Sequence, residues 1–190
     1  MTQRKDKKLV YVSHDLLDEV SKVSHARGET ITKFLEEALT QAVKVTTAGH
    51  DLQQLGKFFE VLYAQRILGG AFVPLDVLNF LTNIALKDDK DALATVWFES
   101  GKWHGKYLKE RFTDPIHSLK TFLEASRWDL SEVEVKRFGT TTRVRCISAV
   151  LSEQATHLLA RFIGGIMEGF DYTLQKSDLL KGMIVLEFTN

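Results

Sequence analysis

Hydrophobic positions in the first fifty residues follow two different periods. Leu9, Val10, Tyr11 and Val12 form a short β-prone run whose side chains alternate between two faces. The next two segments repeat apolar residues at three- and four-residue spacing, which predicts two amphipathic helices separated at Gly28. The apolar positions are Leu16, Leu17, Val20, Val23 and Ala26 in the first helix, and Ile31, Phe34, Leu35, Ala38, Leu39, Ala42 and Val43 in the second.

The ends of these elements carry capping signals, but the short strand lacks a partner. Ser13 stands before the first predicted helix, and Thr30 or Thr32 stands before the second, where a hydroxyl can accept a hydrogen bond from the first turn. A strand of four or five residues is not stable by itself. Because no second β-prone run follows nearby, we predict that the strand pairs with the same segment of a second chain.

Strand, helix, glycine turn and helix in this order resemble the ribbon-helix-helix family of repressors, the MetJ, Arc and CopG type. The resemblance covers residues 5–46. It implies that two chains pair their strands into an antiparallel ribbon that enters the major groove of double-stranded DNA. The residues expected to contact DNA are then Lys5, Lys7, Leu9 and Tyr11 in the strand region, and Thr30, Ile31, Thr32 and Lys33 at the start of the second helix.

Each part of this implied interface has its own chemistry. Lys7 can donate to O6 and N7 of guanine, and Tyr11 can hydrogen-bond a base edge or a phosphate. Leu9 stands where the family usually has a polar residue, and it could only contact a thymine methyl group. The start of the second helix would hold a phosphate through free backbone N–H groups and the helix dipole.

The remainder of the sequence predicts helices first and an antiparallel sheet afterwards. We expect one helix over 51–68 and a second over 74–86, followed by a solvated charged turn at 88–91. Residues 92–105 should lead into a third helix that ends at Phe112, and a fourth helix should begin at Pro115. After residue 127 the period changes to two, which predicts a hairpin around Gly139. A helix over 153–172 and a strand over 183–188 complete the chain. The helix contains three glycines, so another backbone or a ligand should approach it closely.

Four features follow one another in this part of the chain: the run from Glu99 to Gly105, the hairpin, the glycine-containing helix and the last strand. Together they resemble a ligand-binding domain of the four-vinyl-reductase type. That domain is related to vesicle-tethering subunits of the Bet/TRAPP kind and to sensor domains of aromatic-responsive activators. The resemblance covers about residues 52–190 and implies an apolar cavity for a small aromatic or lipid-like ligand. The residues expected to bind it are Trp97, Trp103, Tyr107, Phe162 and Phe170. The alternative is that these aromatic residues only fill a core.

Composition and charge narrow the function classes. The single cysteine, Cys146, excludes an intrachain disulfide and the cysteine-rich zinc site that members of the ligand-binding family often carry. Net charge is zero, although residues 1–8 hold four basic residues against one acidic residue. His104, His117 and His157 lack the spacing of a zinc site, and no nucleophile or phosphate-loop motif is present. We therefore expect no catalysis, metal or cofactor. With no signal peptide and no apolar stretch of about 20 residues, we expect a cytoplasmic protein.

These patterns predict an α+β protein with two domains. Residues 1–48 are expected to form the ribbon-helix-helix module for DNA binding and dimerisation. Residues 49–190 are expected to form a body of several helices and a small antiparallel sheet that senses a ligand or fixes the assembly. The predicted function is a homodimeric, sequence-specific transcriptional regulator. The alternatives are an interaction scaffold or antitoxin-like partner binder, and a nucleoid-associated protein that coats DNA without sequence choice.

Overall fold

The computed structural model describes residues 9–71 and 73–190, and in this part the chain is α+β, with seven helices and one four-stranded antiparallel sheet. The chain divides into two compact units, the first ending at Leu55 and the second running from Gly56 to Asn190. The helices are α1 His14–Ala26, α2 Ile31–Thr47, α3 Leu52–Ile67, α4 Leu75–Asp88, α5 Lys90–Arg111, α6 Pro115–Ser126 and α7 Glu153–Gly169; the strands are β1 Glu132–Phe138, β2 Thr141–Ile147, β3 Thr173–Leu180 and β4 Met183–Thr189.

Helices α1 and α2 of the first unit begin and end close to the predicted residues. Ser13 occupies the N-cap position of α1, although its hydroxyl makes no capping hydrogen bond. Gly28 has a φ of 68°, the left-handed conformation that lets the chain leave α1. The hydroxyl oxygen of Thr30 accepts a hydrogen bond from the backbone N–H of Lys33 at 3.2 Å, which identifies Thr30 as the cap of α2. Residues 9–13 contain no strand in this chain, so α1 is the first regular element described.

Helices α5 and α7 of the second unit run in the same direction and touch through their backbones. A Cβ atom built on Gly105 would lie 2.9 Å from the carbonyl carbon of Ile166 and 3.0 Å from the Cα of Gly169. One built on Gly169 would lie 2.7 Å from the carbonyl oxygen of Lys102. The close neighbour expected beside the glycines of α7 is therefore the backbone of α5, because only glycine leaves room for this approach.

The secondary structure between residues 92 and 112 differs from the predicted one. The helix α5 is continuous from Lys90 to Arg111, and the run from Glu99 to Gly105 lies inside it. The prediction of a separate stretch before the helix was wrong because the glycines serve helix packing and do not end the helix. The charged run at 88–91 is also more than a solvated turn, since the Asp89 carboxylate accepts from the backbone N–H groups of Asp91 and Ala92 at the start of α5.

The sheet has the strand order β1-β2-β4-β3, with every neighbouring pair antiparallel. The predicted hairpin is confirmed, with Gly139 at a φ of 62° in its turn, and a second hairpin turns at Gly182. Strand β3 was not predicted, because its side chains are almost all exposed and show no apolar alternation. The helix α7 ends at Gly169, three residues before the predicted end.

One face of the sheet and the inner faces of three helices form the core of the second unit. The predicted inward residues of α6, Ile116, Leu119, Phe122 and Leu123, are all buried. The other buried side chains include Val144, Cys146, Ile184, Leu186 and Phe188 from the strands and Leu108, Leu159, Ile163, Ile166 and Met167 from α5 and α7. A layer of helices and a layer formed by the sheet thus share one core, as in other α+β domains.

Cys146 lies inside this core. Burial raises the pKa of its thiol to about 12. Because the thiolate is the reactive form, we expect Cys146 in the folded protein to resist an aromatic disulfide reagent at about pH 8 and to react at an ordinary rate after denaturation. The absorbance of the released thiol measures both rates. Equal rates in the two states would show that the thiol is accessible and the core description incorrect.

Candidate DNA-binding and ligand-binding surfaces

The two helices of the first unit leave their apolar side chains largely uncovered. Among its described residues only Ser24 is buried, and no hydrophobic side chain is. We call the exposed set the two-helix face; it consists of Leu16, Leu17 and Val23 on α1 and Leu39 and Val43 on α2. Leu39 is 60% exposed although it lies in the middle of its helix. Amphipathic helices of this kind gain most of their stability from a partner that covers the apolar side, which makes this face a candidate contact surface.

The β-prone segment before α1 is equally uncovered. Leu9 is 81% and Tyr11 is 91% exposed. Residues 9–12 make no backbone hydrogen bond with another described residue. Exposed backbone donors and acceptors next to exposed β-branched and aromatic side chains are the features that allow pairing with a strand from another chain. Lys5 and Lys7, which we predicted to accompany Leu9 and Tyr11 in DNA contact, lie outside the described residues.

The start of α2 brings together Thr30, Ile31, Thr32 and Lys33, but acidic groups surround the lysine. The Nζ atom of Lys33 lies 3.6 Å from Oε2 of Glu29 and 3.9 Å from Oε1 of Glu37. Arg27 pairs with the same Glu29 carboxylate at 2.6 Å. The helix dipole and free N–H groups favour an anion at this helix start, whereas the two carboxylates repel one. The predicted phosphate site is therefore less electropositive than the resemblance implied.

Net positive charge in the first unit is concentrated in residues 1–8, before the helices. Between residues 9 and 48, six acidic residues oppose four basic ones, which gives a formal net charge of −2. Residues 1–8 carry four basic residues and one acidic residue. Any attraction of this module to phosphates must therefore depend mainly on the basic segment that precedes Leu9.

The aromatic residues predicted for ligand binding do not meet in one cavity. The rings of Trp97 and Phe162 contact each other edge to face at 6.1 Å. Trp103 is exposed, and the Nζ atom of Lys106 lies 5.0 Å from its ring centre. Phe170 is buried in the core. Of the five predicted residues, Tyr107 is the one that lines either of the two clefts described below.

Phe162 instead belongs to an aromatic cluster built around His104. Its ring centre is 5.1 Å from that of His104, and the Phe122 ring is 5.5 Å from the same imidazole. The Nδ1 atom of His104 lies 2.8 Å from the carbonyl oxygen of Ser100, so Nδ1–H is the donor in the neutral form. Burial lowers the pKa of His104, and the hydrogen bond to Ser100 opposes this only in part. His104 therefore acts as a neutral core residue.

This burial predicts a pH dependence of stability. As the pH falls below about 6.5, the imidazole of the unfolded chain takes up a proton first, because the folded pKa is lower. The free energy of unfolding should therefore decrease as the pH falls from the pKa of His104 in the unfolded chain to its lower pKa in the folded protein. Below the folded pKa it should level off. Denaturant titrations of the wild type and of His104→Gln at about pH 7.5 and about pH 5 measure this. The decrease should be smaller in His104→Gln than in the wild type. An equal decrease in wild type and His104→Gln would contradict the assignment.

Two adjoining clefts lie beside α3 in the second unit. The first, of about 170 Å³, is lined by the buried apolar residues Val61, Ala64 and Leu108 and by polar residues that include Asp114 and Ser118. The second, of about 250 Å³, is lined by Phe59, Glu60, Tyr63, Tyr107, Arg111 and Phe112. Glu60 and Phe112 line both clefts. Of all these residues, sequence reasoning had selected only Tyr107.

The Arg111 side chain of the second cleft has no ion-pair or hydrogen-bond partner among the described residues. Two lysines of the same helix do have partners, since Lys102 pairs with Glu168 at 2.6 Å and Lys109 pairs with Asp171. Glu60 makes no ion pair with Arg111 within 4.0 Å either. The cleft therefore combines four aromatic rings with one guanidinium and one carboxylate that are not neutralised by each other.

Metal binding and membrane crossing find no support in the described part of the chain. No three or more His, Cys, Asp and Glu side chains come together there in a way that could hold a metal ion. Across residues 9–71 and 73–190, no helix combines the length and apolar character needed to cross a membrane.

No model of a known protein family matches the sequence, and no curated protein is found to be similar to it.

Proposed function

We propose that this protein is a homodimeric, sequence-specific, DNA-binding transcriptional regulator that acts in the cytoplasm and whose second unit senses a small apolar or aromatic ligand. Two chains would join through the two-helix face and through residues 9–12, which would form the ribbon of a ribbon-helix-helix module. The ligand would change the affinity for DNA by favouring one arrangement of the paired modules over another.

The observation that carries this proposal is that the described part of the first unit has an apolar face but no buried hydrophobic side chain. A second copy supplies a matching face, because the same side chains repeat on it by symmetry. Burying apolar surface gains roughly 25 cal/mol per Å², so covering five large side chains in each chain gives a substantial driving force. The same association would satisfy the backbone groups of residues 9–12, which have no described partner.

In such a dimer the exposed side chains of the ribbon would face the major groove. Lys7, Leu9 and Tyr11 would share one face of such a ribbon strand, since they stand two positions apart in the sequence. Lys5 and Lys7 would supply most of the positive charge, because residues 9–48 are net acidic. Backbone N–H groups at Ile31 and Thr32 would contact a phosphate at the start of α2, with Thr30 holding that helix start in place.

The proposal is tested by selection of bound sequences from random duplex DNA, followed by fluorescence-anisotropy titration of the selected duplex and of a shuffled one. We expect the selected duplex to bind tighter and both affinities to fall with added salt, because counterions are released from phosphates. Lys7→Ala and Tyr11→Ala should each weaken binding of the selected duplex by about 1–3 kcal/mol. Lys22→Ala removes an exposed lysine of α1 that we do not place at the groove, and it should leave affinity unchanged.

Two outcomes would point away from a specific regulator. Equal, salt-dependent affinity for selected and shuffled duplexes would indicate a nucleoid-associated protein that reads only the DNA backbone. Affinity that does not change in Lys7→Ala and Tyr11→Ala would exclude the ribbon as the reading element.

A second candidate function is supported by the acidic groups around α2. Glu29 and Glu37 hold Lys33 and Arg27, and the Glu29 carboxylate is almost buried against them. A helix presenting an apolar face flanked by carboxylates also suits a basic, helical protein partner of the kind that an antitoxin-like binder would engage. Absence of measurable DNA binding at low salt, together with a stable complex with such a partner, would favour this function.

A further inference from the structure

We infer that the cleft lined by Phe59, Glu60, Tyr63, Tyr107, Arg111 and Phe112 binds a small aromatic monocarboxylate. This inference gives a chemical class to the ligand of the sensing role proposed above and rests on that role. The observation behind it is the juxtaposition of four aromatic side chains with an arginine that lacks a carboxylate partner in the described part of the chain.

The walls of this cleft suit a flat ring. Phe59 and Tyr63 are one helical turn apart on α3, and Tyr107 and Phe112 come from the end of α5 and the residue after it. Phe59 is 69% and Tyr63 is 48% exposed, so these rings contribute little to the core as they stand. Aromatic rings stack or meet edge to face at centroid separations of about 4.5–7 Å, which allows one ring of a ligand to contact several of them.

The size of the cleft limits the ligand to one ring or two. Its volume is about 250 Å³, which is below the usual range of about 300–1,000 Å³ for sites that hold drug-sized molecules. A long acyl chain or a polycyclic lipid would extend beyond a cleft of this size. A single substituted ring fills such a volume and leaves room for one polar group at each end.

Arg111 selects an anion and, by its geometry, a carboxylate. Its guanidinium can donate two parallel hydrogen bonds to the two oxygens of one carboxylate group. The position of Arg111 at the C-terminal end of α5 is favourable for any cation because of the helix dipole. That explanation accounts for the positive charge but not for its placement at the wall of an aromatic cleft, without an ion-pair partner in the described part of the chain.

Glu60 limits the charge that the ligand can carry. Its carboxylate lines the same cleft, and it would repel a dianion such as phosphate more strongly than a monoanion. It can also accept a hydrogen bond from a hydroxyl or amino group at the far side of a ring. The pair of groups thus favours an aromatic monocarboxylate over both a neutral aromatic compound and inorganic phosphate.

The cleft is placed on an element that continues into the first unit. Residues 52–55 of α3 belong to the first unit, and the remainder of α3, including Phe59 and Tyr63, belongs to the second. A ligand held against Phe59 and Tyr63 therefore acts on the helix through which the chain passes from one unit to the other. A change in the stability of α3 is a physical means by which ligand binding could alter the proposed DNA-binding module.

The test uses the full chain without DNA and observes ligand by fluorine NMR. The probes are 4-fluorobenzoate and 4-fluorobenzamide, which have nearly the same shape but differ in charge. We expect the benzoate to bind at least roughly tenfold tighter than the benzamide, and Arg111→Gln to weaken the benzoate by a similar factor, because a hydrogen-bonded charge pair is lost. Arg111→Lys should lie between wild type and Arg111→Gln. Tyr107→Ala should weaken both probes.

The control is Arg161→Gln, which removes an exposed arginine of α7 that contacts the Phe98 ring and does not line the cleft. It should bind both probes as the wild type does. Equal affinity of wild type for the two probes, wild-type affinity in Arg111→Gln, or no binding of benzoate would each overturn the inference. Because DNA is absent, these results leave the DNA-binding proposal untouched. Conversely, benzoate binding by a protein that fails to bind any duplex would support the cleft and contradict the regulator.

Discussion

Gly165→Ala is expected to lower the free energy of unfolding by at least about 3 kcal/mol, because its new methyl group has no space. The Cβ would lie 2.8 Å from the backbone nitrogen of Lys102 and even closer to the carbonyl oxygen of Phe98. Both neighbours are backbone atoms inside α5, so they can move only if the two helices separate. Urea titration followed by circular dichroism measures the change.

Gly164→Ala is the matched control for this experiment. It introduces the same methyl group one residue earlier on the same helix, where the nearest atom is a ring carbon of Phe98 at an ordinary distance of 3.8 Å. Alanine is the better helix former by about 1 kcal/mol, so this variant should be as stable as the wild type or more so. If both variants unfold at the same urea concentration, the close packing of α5 against α7 is refuted.

Leu39→Asp is expected to abolish the proposed dimer and to reduce the affinity for a selected duplex by about a hundredfold or more. Leu39 is the central exposed side chain of the two-helix face, and a dimer would bury the new carboxylate of each chain without a partner. Sedimentation velocity gives the mass of the assembly, and anisotropy titration gives the affinity for DNA. Both properties should be lost together, since the ribbon requires two chains.

Gln41→Asp supplies the comparison, because it places one additional negative charge two residues further along the same helix at an exposed polar position. It should remain a dimer and should weaken DNA binding only slightly through charge. A dimeric Leu39→Asp protein would mean that the two-helix face is covered by something other than a second copy.

The parts of the fold that could be predicted from sequence are those fixed by local interactions. The cap at Thr30, the left-handed Gly28 and the turn at Gly139 depend on residues within a few positions of each other. The apolar spacing of α6 was also sufficient to place its buried side. The continuous helix α5 was missed because glycine normally weakens a helix, and here its cost is offset by packing against a segment about sixty residues later.

Two further features could not be predicted from the sequence: strand β3 at the edge of the sheet, and the cleft that contains Arg111. Strand β3 has exposed side chains on nearly all positions, so it carries no alternation that a sequence pattern could reveal. The cleft joins residues 59–63 with residues 107–112, which are far apart in the sequence. That Arg111 lacks a partner among the described residues becomes visible only in the structure. Tyr107 was predicted from sequence because it is aromatic, whereas Phe59 and Tyr63 lie in the segment 51–68, for which only a helix was predicted.

The buried thiol of Cys146 makes the protein convenient for distance measurements between chains. Because the sequence contains no other cysteine and this one is shielded by the core, a cysteine introduced by Gln41→Cys on the surface of α2 would be the one that a spin label modifies. Pulsed electron resonance would then detect a single intermolecular distance if two copies pair through their helices. Adding benzoate or duplex DNA to the same labelled sample would report whether either one moves the paired modules.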